Sequence, residues 1–214
     1  VLPAVTCSAQ ATMLTGLSPQ EHGAVGNGWF HRETGEVRFW LQSNSKRQAR
    51  KNIARHYDLG NDFYRLWLDE TVTYSSAIFE TGQESLETAQ RLKYASMVDQ
   101  MGAREGDHVL EIGCGWGGFA EYAAKERGLR VTGLTISEAQ HEYAVDRIAR
   151  AGLSDRVEIK LQDYRDERGS YDGIASIEMF EAVGERSWPV YFSALRDRLK
   201  PGCNARLQII TIAE

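Results

Sequence analysis

The sequence predicts an α/β fold, Rossmann-like, with a mostly parallel sheet and helices on both faces. Three observations predict it. From Gly106 onward short β-branched or apolar runs alternate with helical patterns, and a glycine-rich turn joins the first run to the first helix. No apolar run approaches the roughly 20 residues that span a bilayer, which leaves a globular core as the fate of the 42% hydrophobic residues.

Strands are expected near His108–Ile112, Arg130–Leu134, Arg156–Leu161, Tyr171–Ile177 and Ala205–Ile212. Helices are expected near Gly118–Arg127, Glu138–Ala151 and Trp188–Leu199, the last stopped by Lys200-Pro201-Gly202. Glu84–Gln100 reads as a helix leading into the first strand. Before it, a basic helical start (Lys46, Arg47, Arg50, Lys51, Arg55) runs into the aromatic-rich stretch His56–Tyr64. Residues 1–44 are of different character, rich in Gly, Thr and Ser, with turn signals at Gly26-Asn27-Gly28 and Thr34-Gly35. Three segments are therefore expected: 1–44, a helical cap over 45–105, and a core over 106–214.

Composition narrows the partners. With 25 Lys+Arg against 30 Asp+Glu there is no overall positive field to recruit nucleic acid. Cys7, Cys114 and Cys203 lie far apart without zinc or disulfide spacing, and His22 and His31 lack partners at metal spacing. No metal site is expected, and a cytoplasmic location fits best. The basic cluster could meet anionic headgroups at the inner membrane face; a solvated helix face explains it equally well.

The chemistry centres on Glu111-Ile112-Gly113-Cys114-Gly115-Trp116-Gly117-Gly118, where an apolar strand turns tightly into a helix. The spacing fits a dinucleotide turn as well as that of a methyl donor. Glu111 before the first glycine and Asp163 closing the third strand favour S-adenosyl-L-methionine. A dinucleotide turn expects an acid about twenty residues on, where Glu138 is displaced into the next helix. The class I methyltransferase fold follows. Such a sheet ordinarily has seven strands, so with the fifth ending near Ile212 the last strands are expected to be missing, leaving an apolar open edge.

Ser45 to Glu214 closely resembles the cyclopropane-fatty-acyl-phospholipid synthase family, which includes the mycolic acid cyclopropane synthases. The motifs that carry the resemblance are His56–Tyr64, Thr73-Tyr74-Ser75-Ser76-Ala77, Gly113–Gly117, Gly133-Leu134-Thr135-Ile136-Ser137 and Met179-Phe180-Glu181. It implies transfer of a methyl(ene) group to the double bond of an unsaturated fatty-acyl chain of a phospholipid, with bicarbonate as the base. By the same resemblance Tyr57 and Tyr74 line the donor site, Glu111, Gly113 and Gly115 hold its amino-acid end, Thr135 and Gln140 lie near the ribose, and Gln162 and Asp163 near the adenine. Glu181 matches the acidic site residue and Ile177 the backbone donor.

Two positions depart from the family pattern: Ser76 stands where the family has cysteine, and Gln208 where it has histidine. Neither supplies the charge of a protonated histidine, so methylation without ring closure is the nearest alternative. An inactive truncated fusion is another. Residues 1–44 are similar to a fragment of the type I phosphodiesterase/nucleotide pyrophosphatase family, with Thr6 matching its nucleophile. The metal ligands such a hydrolase requires are absent, so hydrolysis is the least favoured reading.

Overall fold

The computed structural model describes residues 71–211 throughout, together with Tyr64, Leu68, Asp69 and three short strands between residues 24 and 39. The chain divides into two compact units, Val1–Ser43 and Asn44–Glu214. In the first, β1 (Ala24–Val25), β2 (Gly28–His31) and β3 (Glu36–Phe39) form an antiparallel sheet in the order β1-β2-β3. Thr6, the basic cluster, His56 and Tyr57 lie outside the described residues.

The second unit is built on β4 (His108–Ile112), β5 (Arg130–Thr135), β6 (Val157–Leu161), β7 (Tyr171–Ile177) and β8 (Leu199–Gln208), all parallel in the order β6-β5-β4-β7-β8. The connecting helices are α1 (Leu86–Met101), α2 (Gly118–Arg127), α3 (Glu138–Arg150) and α4 (Trp188–Arg198). Ser85 caps α1 by accepting from the Thr88 amide, and Gly102, in the left-handed region at φ 74°, ends it.

Burial on both faces explains why the central strand reads almost continuously apolar. Successive side chains of β4 point to opposite faces. Val109 joins a core with Tyr94, Phe119, Val131 and Ile148 from the α1–α3 side, whereas Leu110 and Ile112 join Leu134, Ile174, Tyr191 and Leu195 on the α4 side. The same alternation puts Glu111 on the face that carries α1 and α2.

The last strand differs from expectation. It runs Leu199–Gln208 rather than Ala205–Ile212, because the Lys-Pro-Gly stop signal is absorbed into the strand as a bulge. Tyr171 pairs with Leu199 and Gly173 with Asn204, so Lys200–Cys203 loop out opposite Asp172, with Gly202 at φ 81°. Ile209–Thr211 leave the ladder. The order of strands reverses direction between β4 and β7, the place where open parallel sheets bind ligands at their carboxyl ends.

Candidate active site

The glycine turn occupies that switch point. The amides of Gly113 and Cys114 both donate to the Leu134 carbonyl, at 3.0 and 2.8 Å, pinning the turn to the end of β5. Gly113 sits at φ 83°, and a Cβ there would lie 2.7 Å from Met179 Cγ, so both conformation and space demand glycine. Gly115 is also left-handed, at φ 53°, but a Cβ there meets nothing within 4 Å.

Glu111 lies beneath the turn, 3% exposed. Gly117, the N-cap of α2, offers no side chain to cap it, and the Ala120 amide donates instead to the Glu111 carboxylate. Its carboxylate oxygen Oε2 is buried with no hydrogen-bond partner among the described residues. Burial pushes the Glu111 carboxyl up to about 8, against the pull of Lys93, Arg147 and the Ala120 amide. Cys114, also buried, has its thiol pushed upward by that burial and is a packing residue.

The remaining donor-side residues form a rim along β5 and β6. Thr135 Oγ1 donates to Gln140 Oε1 at 3.0 Å, and Ser137 caps α3 through the Gln140 amide. The Gln162 amide donates to the Thr135 carbonyl at 2.9 Å. Asp163 is 2% exposed, and its two oxygens accept from Arg165 Nε and Nη2 at 2.8 and 2.6 Å. Tyr74 packs on Tyr64, ring centroids 5.4 Å apart, and Tyr64 in turn on Trp116 of the turn at 5.0 Å.

A second cluster comes from three distant segments. Glu178, immediately after β7, has φ 47°, a costly conformation for a residue with a Cβ. Its Oε1 accepts from the Ser76 amide at 2.8 Å, from the Ser76 hydroxyl, and from Gln208 Nε2 at 2.8 Å. Gln208 Nε2 also lies 2.9 Å from Ser76 Oγ. The structure thus brings Ser76 and Gln208 together, with Glu178 between them. Glu181 is adjacent in sequence: its Oε1 accepts from the Ile210 amide, while Oε2 is buried with no partner among the described residues. Burial raises the Glu181 carboxyl above its ordinary value, the Ile210 amide opposing and Glu178 adding to the rise.

Glu178 was not among the residues singled out from sequence. Its signal was present: a charged residue directly after a buried strand at a sheet's carboxyl edge. Lys93 was missed too, being a lone lysine within an otherwise unremarkable helix.

The segment carrying Tyr74 and Ser76 is strapped to the core. Thr71 Oγ1 donates to Asp69, Thr73 Oγ1 and Tyr94 Oη are 2.9 Å apart, and Arg147 Nη1 donates to the Thr71 carbonyl at 2.6 Å while its Nε pairs with Glu121.

Residues 44–214 match the family described as mycolic acid cyclopropane synthetase. The chain belongs to that family. Within it, the chain is 45% identical over 191 residues to tuberculostearic acid methyltransferase UfaA1 of Mycobacterium tuberculosis, covering 86% of this chain and 44% of the relative. It is 41% identical over 170 residues to cyclopropane-fatty-acyl-phospholipid synthase of Escherichia coli K12, covering 79% and 43%. The structure of mycolic acid cyclopropane synthase CmaA1 complexed with SAH and CTAB is similar at 32% identity and a TM-score of 0.71, over 74% of this chain and 55% of that one. The fold is that of class I S-adenosylmethionine-dependent methyltransferases. The chain spans less than half the length of the two curated family members. The family match begins at residue 44 and gives the phosphodiesterase-like reading of residues 1–44 no support.

Proposed function

We propose that this chain binds S-adenosyl-L-methionine and alkylates the double bond of an unsaturated fatty-acyl chain, with methylation without ring closure as the favoured outcome. The observation that carries this reading is the carboxylate of Glu178 held between Ser76 and Gln208.

The donor fits the turn on two counts: Glu111 Oε2 is a buried acceptor without a partner among the described residues, and at Gly115 the backbone opens on a space with no atom within 4 Å of where a Cβ would stand. Glu111, Gly113 and Gly115 would hold its amino-acid end, Thr135 and Gln140 its ribose, Gln162 and Asp163 its adenine, with Tyr57 and Tyr74 against it. Reading the adenine through Asp163 requires sharing that carboxylate with Arg165. When bound, the donor supplies an electrophilic methyl group on a positively charged sulfur.

The chain's own residues then serve the acyl side. Attack by a double bond leaves positive charge on the lipid, and carboxylates fixed in a site of low polarity stabilise such charge far better than water-exposed ones. Glu181, with a buried carboxylate oxygen, meets that condition, and the half-buried Glu178 beside it at the end of β7 would meet it once a bound acyl chain covers the exposed Ser76. A free bicarbonate would have to displace the Glu178 carboxylate from its three donors, or sit beside a like charge. Glu178 is therefore the resident proton acceptor. Proton loss to a fixed carboxylate yields a methylated, still unsaturated chain when the proton taken comes from the acyl chain. The relative at 45% identity carries the name of an acyl methyltransferase, in keeping with that outcome. No helix among the described residues is long and apolar enough to cross a membrane, so the acyl chain would be met at a membrane surface.

The test is incubation with methyl-labelled donor and vesicles of monounsaturated phospholipid, followed by fragmentation mass spectrometry of the acyl chains. A labelled methyl branch is expected. Unlabelled lipid, under conditions where calorimetry shows the donor bound, overturns the proposal; a labelled cyclopropane overturns the product assignment.

A further inference from the structure

Among the described residues Lys93 is the only lysine or arginine whose side chain is buried, at 1% exposure. It lies on α1 and makes no ion pair among the described residues: its Nζ donates to neutral oxygens, Ser75 Oγ at 2.5 Å and Gln90 Oε1. Gln90 Nε2 closes the ring by donating to the Ser75 carbonyl at 2.8 Å. The ammonium also lies 4.7 Å from the centroid of the Tyr94 ring. Ser75 is thereby gripped at its hydroxyl and at its carbonyl, and the next residue, Ser76, presents its amide and hydroxyl to Glu178.

A buried ammonium without a salt bridge is an expensive way to fill space, and an apolar side chain of similar volume would serve packing better. The charges that do act on it are carboxylates of two separate parts of the site, Glu178 and Glu111, with Asp69 third. Burial pushes the Lys93 ammonium down to about 8 and those three carboxylates oppose the fall.

We propose that Lys93 is a positioning residue for the acyl-side cluster: it clamps Ser75 so that Ser76 faces Glu178. The proposal rests on the reading of Glu178 as a site residue, and its test needs no turnover.

The measurement, made on the whole chain, is amide hydrogen exchange at Ser76 in Ser75→Ala and Lys93→Met. Loss of the clamp is expected to speed it at least tenfold in both variants, and unchanged exchange in Ser75→Ala overturns the clamp even should Lys93→Met fail to fold.

Donor binding with no labelled lipid would refute the alkylation reading while leaving the exchange measurement able to decide the role of Lys93.

Discussion

The donor turn and the Ser76–Glu178–Gln208 cluster are built by opposite routes. The turn is contiguous: Glu111 to Gly118 bring their own acceptor, glycines and helix start, and need only the Leu134 carbonyl to anchor them. The cluster is assembled from residues 102 and 132 positions apart, and holds Glu178 in a left-handed conformation against its preference. A local motif can be stable with few long-range contacts, whereas a cluster of distant residues depends on every element that places them. Substitutions in the turn should therefore weaken donor binding, and substitutions in the cluster should spare it.

The largest effect is expected from Gly113→Ala. The left-handed backbone and the 2.7 Å approach to Met179 together cost about 2–4 kcal/mol, a loss of donor affinity of roughly 30-fold or more by calorimetry. Gly115→Ala carries only the conformational penalty, about 1 kcal/mol, and should weaken binding about fivefold. Equal losses at the two glycines would show that space at Gly113 does not matter.

Of like size is Glu178→Gln. Turnover should fall by about 10²-fold while donor affinity stays within about twofold, as measured by label transfer against calorimetry. A large affinity loss would merge the two regions into one. With Glu178→Ala, which opens the space between Ser76 and Gln208, added bicarbonate should raise the fraction of ring product.

The pH dependence of donor binding sharpens the contrast further. Glu111 in the free chain has its midpoint raised to about 8 by burial, so it is mostly protonated at pH 7. A cationic donor favours the carboxylate and lowers that midpoint, so binding releases a proton. Affinity should climb roughly tenfold from pH 6.5 to 8 and flatten above. Calorimetry in buffers of different ionisation enthalpy measures the release, and Glu111→Gln should remove it. The same raised midpoint means that Glu111 favours the folded state below about pH 4.5, and that this contribution is lost as pH rises through 8.

The last effect is on stability, at the strap that supports both regions. Arg147→Met removes the bond to the Thr71 carbonyl and the partly buried pair with Glu121, and should cost about 1–3 kcal/mol, read as a lower melting temperature. Because the strap leads to Tyr74 and Ser76, turnover should fall more than donor affinity does.

Much of the fold was legible because it is written in local signals. The α2 range Gly118–Arg127 follows from a glycine turn on one side and Gly128 on the other, and β4 and β7 from short apolar runs between turn signals. The strand at Leu199–Gln208 was not, because a Pro-Gly pair that normally ends an element is here accommodated by a bulge opposite Asp172. Within the site, Glu111 and Gly113 announce themselves by position next to each other. Ser76 and Gln208 were legible only through resemblance to a family, and nothing in their sequence neighbourhoods says that they meet.

The sequence by itself determined the alternation of strands and helices, the turn between β4 and α2, and the glycine at 113, since backbone conformation and side-chain period are set within a few residues. Only the tertiary structure decided that Glu178 fills the space between Ser76 and Gln208, that Lys93 grips Ser75 from α1, and that Glu111 keeps a buried oxygen unpartnered. Those facts depend on which distant groups the packed elements bring together, and for Lys93 and Glu111 the meeting place is a volume from which water is excluded. In such a volume each unpaired charge or acceptor has a large energy that no local pattern of residues reveals.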